Sequence, residues 1–191
     1  MKKLAVLLSL TLAIVLLGGS ALAQGDNSVY FTTYYSNARN AAAPDETIRI
    51  INDGDTGNWL WESFYVFDDS QELQECCACG VSPDGLLSES VNGELLANPL
   101  TGKVNTRGVI KVISSSSSGA PVANTPAPGS HGTATHVQHA LGANYQITET
   151  PLADSNLTSS EQTMLQNLCS YAITLGSGSG VCGCTLEDHD F

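Results

Sequence analysis

Six cysteines in two groups place the strongest constraint on how this chain folds. Cys76, Cys77 and Cys79 lie almost together, and Cys169, Cys182 and Cys184 follow much later in the chain. An even number of cysteines in an exported protein predicts a disulfide framework. Such a framework ties the middle of the chain to its C-terminal end, which predicts a covalently stapled domain.

The first 23 residues have the pattern of a bacterial secretion signal. Lys2 and Lys3 precede an apolar stretch from Leu4 to Leu17, and Ala21-Leu22-Ala23 forms an A-x-A cleavage site. The apolar stretch is shorter than the ~20 residues that span a bilayer. We therefore expect a secreted, extracellular protein that begins at Gln24 and has no stable membrane anchor.

The charge of the chain narrows its choice of partners. Loss of Lys2 and Lys3 with the signal takes the formal net charge from −12 to −14. Phosphate binding needs clustered lysine and arginine, so nucleic acid is excluded as an expected partner. The remaining length fits one domain.

The pattern of apolar residues and turns predicts a mostly β fold. Aromatic and β-branched runs predict short strands, and residues 133–141 with 145–150 read as a hairpin. A capping box at Thr158 and apolar residues at helical spacing predict one α-helix near the C-terminus, followed by a strand at 181–186. The fold class is an antiparallel β-sandwich or barrel-like domain with an N-terminal strand arm.

The chain divides into three parts on this interpretation. Residues 1–23 are the signal peptide, residues 24–43 are the strand arm with a linker, and residues 44–191 are the disulfide-stapled β-rich domain. A Ser/Pro-rich loop at 114–130 interrupts that domain. A loop this long either carries contacts or is mobile.

The arm is the candidate assembly element. The strand from Val29 to Tyr35 either pairs with its own sheet or inserts into the sheet of another copy, since an extended strand can add to an open edge. Contacts of the second kind do not close and build filaments. The candidate assembly residues are Val29, Tyr30, Phe31, Tyr34 and Tyr35.

The cysteines allow either disulfides or a thiolate-bound metal. Side chains alternate along a strand, so Cys182 and Cys184 point the same way, as do Cys77 and Cys79 in an extended segment. Two bridges between these pairs, with Cys76 joined to Cys169, form one hypothesis among fifteen possible pairings.

Other candidate ligands are weaker. Asp53 and Asp55 lie in a turn that suits a Ca²⁺ site, to which Glu62, Asp68 and Asp69 can contribute, although the EF-hand spacing is absent. No other cofactor is indicated. Of His131, His136, His139 and His189, the middle pair should face opposite ways in a strand, which does not suit metal or haem ligation.

Several segments resemble a family of uncharacterised small secreted bacterial proteins. They include residues 64–68 (FYVFD), 74–79 (QECCAC), 82–86 (SPDGL), 98–102 (NPLTG) and 181–184 (VCGC). The resemblance covers most of the mature chain. It implies an exported, cysteine-stapled domain and no catalytic residues.

Three functions follow as hypotheses. The first is a structural protein that associates with itself into an oligomer or filament by N-terminal strand complementation. The second is a monomeric extracellular binding module. The third, a secreted hydrolase, lacks support because GSGSG at 176–180 puts glycine at the nucleophile position of G-x-S-x-G and no other catalytic motif is present. We therefore expect that the protein is not an enzyme.

Overall fold

The computed structural model describes residues 27–103, 105–139 and 144–184, so the predicted signal peptide lies outside the described residues. The predicted mostly β fold with a C-terminal helix is confirmed. In the described part of the chain, no helix has both the length and the apolar character needed to cross a bilayer. In chain order the elements are β1 (Tyr30–Tyr35), β2 (Thr47–Asn52), β3 (Leu60–Asp68), β4 (Leu73–Val81), β5 (Leu86–Ser90), a π-helical turn (Val91–Leu95), β6 (Gly108–Ser115), β7 (Ser130–His139), β8 (Tyr145–Pro151), β9 (Ala153–Asp154) and α1 (Ser159–Thr174).

The strands form two antiparallel sheets. The first has the order β4-β3-β6-β1-β9 and the second β5-β2-β7-β8. The predicted hairpin is β7 with β8, in the register Val137 to Ile147. The central strands pair across long sequence distances, as β1 does with β6, where Tyr30 lies opposite Ile113.

The main core lies between the two sheets. Alternating side chains of the first sheet, such as Phe64 and Val66 of β3, meet Ile48 and Ile50 of β2 in one buried cluster. Burial of each such side chain contributes roughly 1.5–3 kcal/mol. The two faces of β3 are both buried, because Tyr65 points to the opposite side of the sheet.

Helix α1 covers that opposite face. The Thr158 hydroxyl accepts a hydrogen bond from the Glu161 amide, as the capping box predicts. Leu165, Cys169 and Ala172 are buried, one turn apart along the helix, and pack with Tyr30 and Tyr65. The molecule thus has three layers: sheet, sheet and helix.

Three disulfides join β4 to the C-terminal elements. The hypothesis that Cys76 pairs with Cys169, and the other two cysteines of β4 with Cys182 and Cys184, is confirmed. The pairs are Cys76–Cys169, Cys77–Cys182 and Cys79–Cys184. Because Cys76 and Cys77 point to opposite faces of β4, one bridge holds the helix and the other two hold the segment at 182–184. No described cysteine is free.

The strand predicted at 181–186 is wrong for its described part. Within residues 181–184, only Val181 pairs in a strand-like manner, through one parallel bridge to Cys76. Two covalent bonds and the hydrogen bond from the Gly183 amide to the Glu94 carbonyl (3.3 Å) position this segment instead. Residues 185 and 186 lie outside the described part.

The N-terminal strand pairs within its own chain, which was the first of the two alternatives. β1 lies between β6 and β9, and Phe31 and Tyr35 are buried in the main core. The segment after it is held against the sandwich rather than hanging free. The buried Glu46 carboxylate accepts hydrogen bonds from the amides of Ser36 (3.1 Å) and Val137 (2.7 Å).

Candidate ligand-binding cleft

Two tryptophans form one wall of an open cleft at the start of β3. Trp59 and Trp61 are two residues apart, so their side chains leave the strand on the same side. Gly80 of β4 lies opposite Trp61, and a Cβ atom there would lie 3.3 Å from each indole ring. The glycine therefore allows both rings to pack close to the backbone of β4. Trp59 remains 46% exposed.

The other wall comes from two loops. The β2–β3 turn contributes Thr56 and Asn58, and the segment between β6 and β7 contributes Ser116, Ser118 and Ala127. With Leu60 at its base, this cleft encloses about 580 Å³. That volume is within the usual range for small-molecule sites. We call it the tryptophan cleft.

Turn chemistry fixes the β2–β3 wall. Gly54 and Gly57 have positive φ angles of 76° and 65°, a conformation that glycine adopts without strain. The Gly57 backbone amide donates to the Gly54 carbonyl (2.8 Å), and the buried side-chain amide of Asn52 donates to the Asn58 carbonyl (2.9 Å). The turn is thus closed by its own hydrogen bonds.

The Ser/Pro-rich wall is held by a buried asparagine, so this loop carries contacts. The side chain of Asn124 donates to the Tyr65 hydroxyl (2.8 Å), which itself donates to the Pro121 carbonyl (2.7 Å). The Asn124 side-chain oxygen accepts from both Gln162 and Gln166 of α1, each at 2.9 Å. Long loops of this composition are commonly mobile, but here the sheet and the helix clamp the segment from both sides.

Polar groups without protein partners line the cleft. Within the described residues, the Trp61 indole N–H, the Ser118 hydroxyl and the Asn58 side-chain oxygen make no hydrogen bond to protein. All three residues line the cleft, so a ligand there has uncharged polar side chains beside the rings. The lining residues are all uncharged, although the chain carries 19 acidic side chains.

The strongly perturbed carboxyl groups lie elsewhere. Burial raises the pKa of Glu62 to about 7, against the hydrogen bonds from Ser130 and Ser114 that favour its charged form. Burial likewise raises the pKa of Glu75 to about 7. Neither residue lines the tryptophan cleft. Glu62 lies on the same face of β3 as Phe64 and Val66, whose side chains point into the sandwich.

Asp53 and Asp55 of the predicted Ca²⁺ site lie together in the β2–β3 turn, whereas Glu62 and Asp68, which were expected to contribute, lie elsewhere. The Asp53 carboxylate accepts from the Asp55 amide (2.9 Å) and lies 3.4 Å from His131. Glu62 is inside the sandwich, and Asp68 is at the far end of β3, where Lys103 contacts it at 3.1 Å. In the described residues, the three-ligand cluster found consists of Cys77, Cys79 and Cys184, all in disulfides.

The predicted assembly residues and the histidines make contacts within the fold. Val29 packs against the helix-side cluster that contains Tyr30, while Tyr34 is 45% exposed. The Tyr34 ring stacks on His136 at 4.1 Å. His136 is buried and His139 is exposed, which confirms that they face opposite ways. His189 lies outside the described residues.

Trp59 and Trp61 were not predicted from the sequence as site residues. The signal available was Trp59-Leu60-Trp61, which in a strand places two large aromatic side chains on one side. The serines opposite them come from more than fifty residues later in the chain. No local pattern indicates that these two segments meet.

Comparison with known proteins identifies no family. No protein-family profile matches the chain, and no curated protein does. One similar solved structure is described as "Crystal Structure of Thermotoga maritima 1070", with a TM-score of 0.44 and 14% sequence identity. The match covers 69% of this chain and 97% of the other. A likeness at this level does not extend to function. The resemblance to small secreted bacterial proteins stays a prediction.

Proposed function

We propose that this protein is an extracellular binding module that takes its ligand in the tryptophan cleft. The observation that carries the proposal is the pair of indole rings packed beside Gly80, opposite a wall of serines held by Asn124. Trp59 is 46% exposed. Tryptophan is usually well buried, so packing of the fold does not account for this exposure.

Binding fits the cleft better than catalysis does. In the part of the chain that the structure describes, none of the residues that line the cleft is titratable, and general acid–base catalysis needs a group that exchanges protons near the substrate. A rigid wall also favours binding, because less conformational entropy is lost on association. The three disulfides fit an oxidising, extracellular location, and secretion through the N-terminal signal is part of this proposal.

The filament hypothesis has less support. With β1 paired to β6 and β9 of its own chain, exchange between copies first requires Phe31 and Tyr35 to leave a packed core. Strand-exchange assembly therefore stays a prediction from sequence, and light scattering and negative-stain imaging of the purified protein test it. Filaments at high concentration would support it over a monomeric module.

The two indoles of the chain make the proposal directly testable. The chain has two tryptophans, both in the cleft, so tryptophan emission, excited at a wavelength where the six tyrosines do not absorb, reports on this site. Three probe sets are titrated: neutral oligosaccharides, uncharged short peptides and small aromatic molecules. We expect a saturable change in emission with at least one set.

A matched pair of variants locates the binding. Calorimetry with any probe that binds should show weaker binding to Trp59→Ala and unchanged binding to Tyr171→Ala, which removes an exposed aromatic side chain of α1. Both positions are exposed, so both variants should keep the wild-type melting temperature. The proposal is wrong if no probe set changes the emission.

A further inference from the structure

We propose that the ligand of the tryptophan cleft is a neutral carbohydrate chain. This inference rests on the proposed function and adds the chemical class of the ligand. It comes from three properties of the cleft: its aromatic surface, its uncharged polar groups and its openness.

The aromatic surface suits a sugar ring. A pyranose presents C–H bonds on its faces and hydroxyl groups around its rim. The face of an indole carries negative potential and attracts the partly positive hydrogen atoms of such C–H bonds. Trp59 and Trp61 lie side by side against Gly80, and Trp59 is half exposed, so the pair offers a surface for stacking.

The polar groups suit hydroxyls. The Ser118 hydroxyl can donate and accept, the Asn58 side-chain oxygen accepts, and the Trp61 N–H donates. In the described part of the chain, none of these groups has a protein partner. A hydroxyl-rich ligand can satisfy all three kinds of group, whereas a hydrocarbon or a plain aromatic molecule would leave them without hydrogen bonds on losing water.

Charge disfavours the other ligand classes. The described residues that line the cleft include no basic one to pair with phosphate or carboxylate, and the chain has a net charge of −12. Anionic ligands are repelled by this field. Indole faces also attract cations, but no carboxylate is found among the described residues that line the cleft to pair with one. The uncharged hydroxyl and amide side chains of the lining favour the neutral, hydroxylated class.

The test measures binding of neutral oligosaccharides to the full mature protein by calorimetry. The probes are cellohexaose, chitohexaose and maltohexaose, with uncharged hexapeptides and indole derivatives as competitors of other classes. We expect saturable binding of at least one saccharide. Because ligand and cleft are both uncharged, raising NaCl from about 50 to about 500 mM should leave the affinity unchanged.

Variants decide whether the rings carry the binding. Trp59→Ala and Trp61→Ala should each weaken saccharide binding about tenfold, in line with the loss of one stacking contact. Trp59→Phe keeps a ring and should retain part of the affinity, and Tyr171→Ala should bind as the wild type does. Saccharide binding that both alanine variants retain overturns the inference.

The outcomes separate this inference from the proposed function. If peptides or indole derivatives bind at the tryptophans and no oligosaccharide does, the ligand class is wrong and the binding module stands. If no probe of any class binds, both fail. Affinity that falls steeply with added salt overturns the assignment of a neutral ligand.

Discussion

Glu62 makes the stability of the fold depend on pH. Its carboxyl group is fully buried, and burial raises its pKa from 4.5 to about 7. Below pH 4.5 the group is protonated in the folded and the unfolded chain, so its contribution to stability is complete. Between pH 4.5 and about 7, the unfolded chain loses this proton before the folded chain does. The free energy of unfolding therefore falls by about 3 kcal/mol over this range.

The variant Glu62→Gln should lose this pH dependence, because an amide does not titrate. We expect the difference in unfolding free energy between pH 5 and pH 8, measured by urea denaturation, to shrink by about 1–3 kcal/mol. The control is Glu149→Gln, since hydrogen bonding to Thr133 lowers the pKa of that carboxyl and keeps it charged throughout. An unchanged difference in Glu62→Gln would show that Glu62 does not titrate in this range.

The Asn124 side chain joins the serine wall of the cleft to Tyr65 of β3 and to α1. Asn124→Ala removes one hydrogen bond to Tyr65 and two to the glutamines of α1, which should reduce stability by about 2–3 kcal/mol. Amide exchange measured by mass spectrometry should rise in residues 116–129 and not in β2 or β7. Val122→Ala, an exposed change in the same loop, should leave exchange unaltered. Equal amide exchange in both variants would show that the hydrogen bonds of Asn124 do not hold this loop in place.

At the level of the elements, the stabilisation that the Cys76–Cys169 bridge gives to α1 depends on the other disulfides. Cys76 and Cys169 are 93 residues apart, and a loop of about 100 residues corresponds to a stabilisation of about 4.7 kcal/mol. However, the neighbouring Cys77–Cys182 bridge has already closed most of that loop. The remaining path, from 169 to 182 and back through 77 to 76, is about 15 residues, which corresponds to about 3 kcal/mol.

We therefore expect the double variant Cys76→Ala with Cys169→Ala to lose about 3 kcal/mol of unfolding free energy. The comparison variant replaces Cys79 and Cys184, whose bridge closes an even shorter path once Cys77–Cys182 is present. It should lose less. Urea denaturation measures both, and a larger loss from the second variant would show that loop closure does not govern these bridges.

For the whole molecule, the position of β1 predicts the result of an N-terminal deletion. Removal of residues 24–36 takes a strand from the interior of the first sheet and Phe31 and Tyr35 from the core. We expect the product to lack a cooperative melting transition in circular dichroism. Removal of residues 24–27, which precede β1, should leave that transition intact. A soluble, cooperatively folded product of the longer deletion would instead favour strand exchange between copies.

Local features of this fold were predictable and distant ones were not. The capping box at Thr158 indicates α1, and alternation in β4 separates Cys76 from Cys77 and Cys79, because both depend on neighbouring residues. The partner of β1 lies about eighty residues away in β6, and no local pattern specifies it. The burial of Glu62 was missed for the same reason: its neighbours Ser114 and Ser130 come from β6 and β7.

The arrangement of the disulfides determines what a protease would release by cutting the loop at 116–129. All three disulfides cross residues 116–129, with Cys76, Cys77 and Cys79 before that loop and Cys169, Cys182 and Cys184 after it. A single cut in the loop would therefore yield two fragments that stay covalently joined, and each sheet would still contain strands from both. The nicked protein would keep its mass, apart from one water, until a reductant separates the pieces.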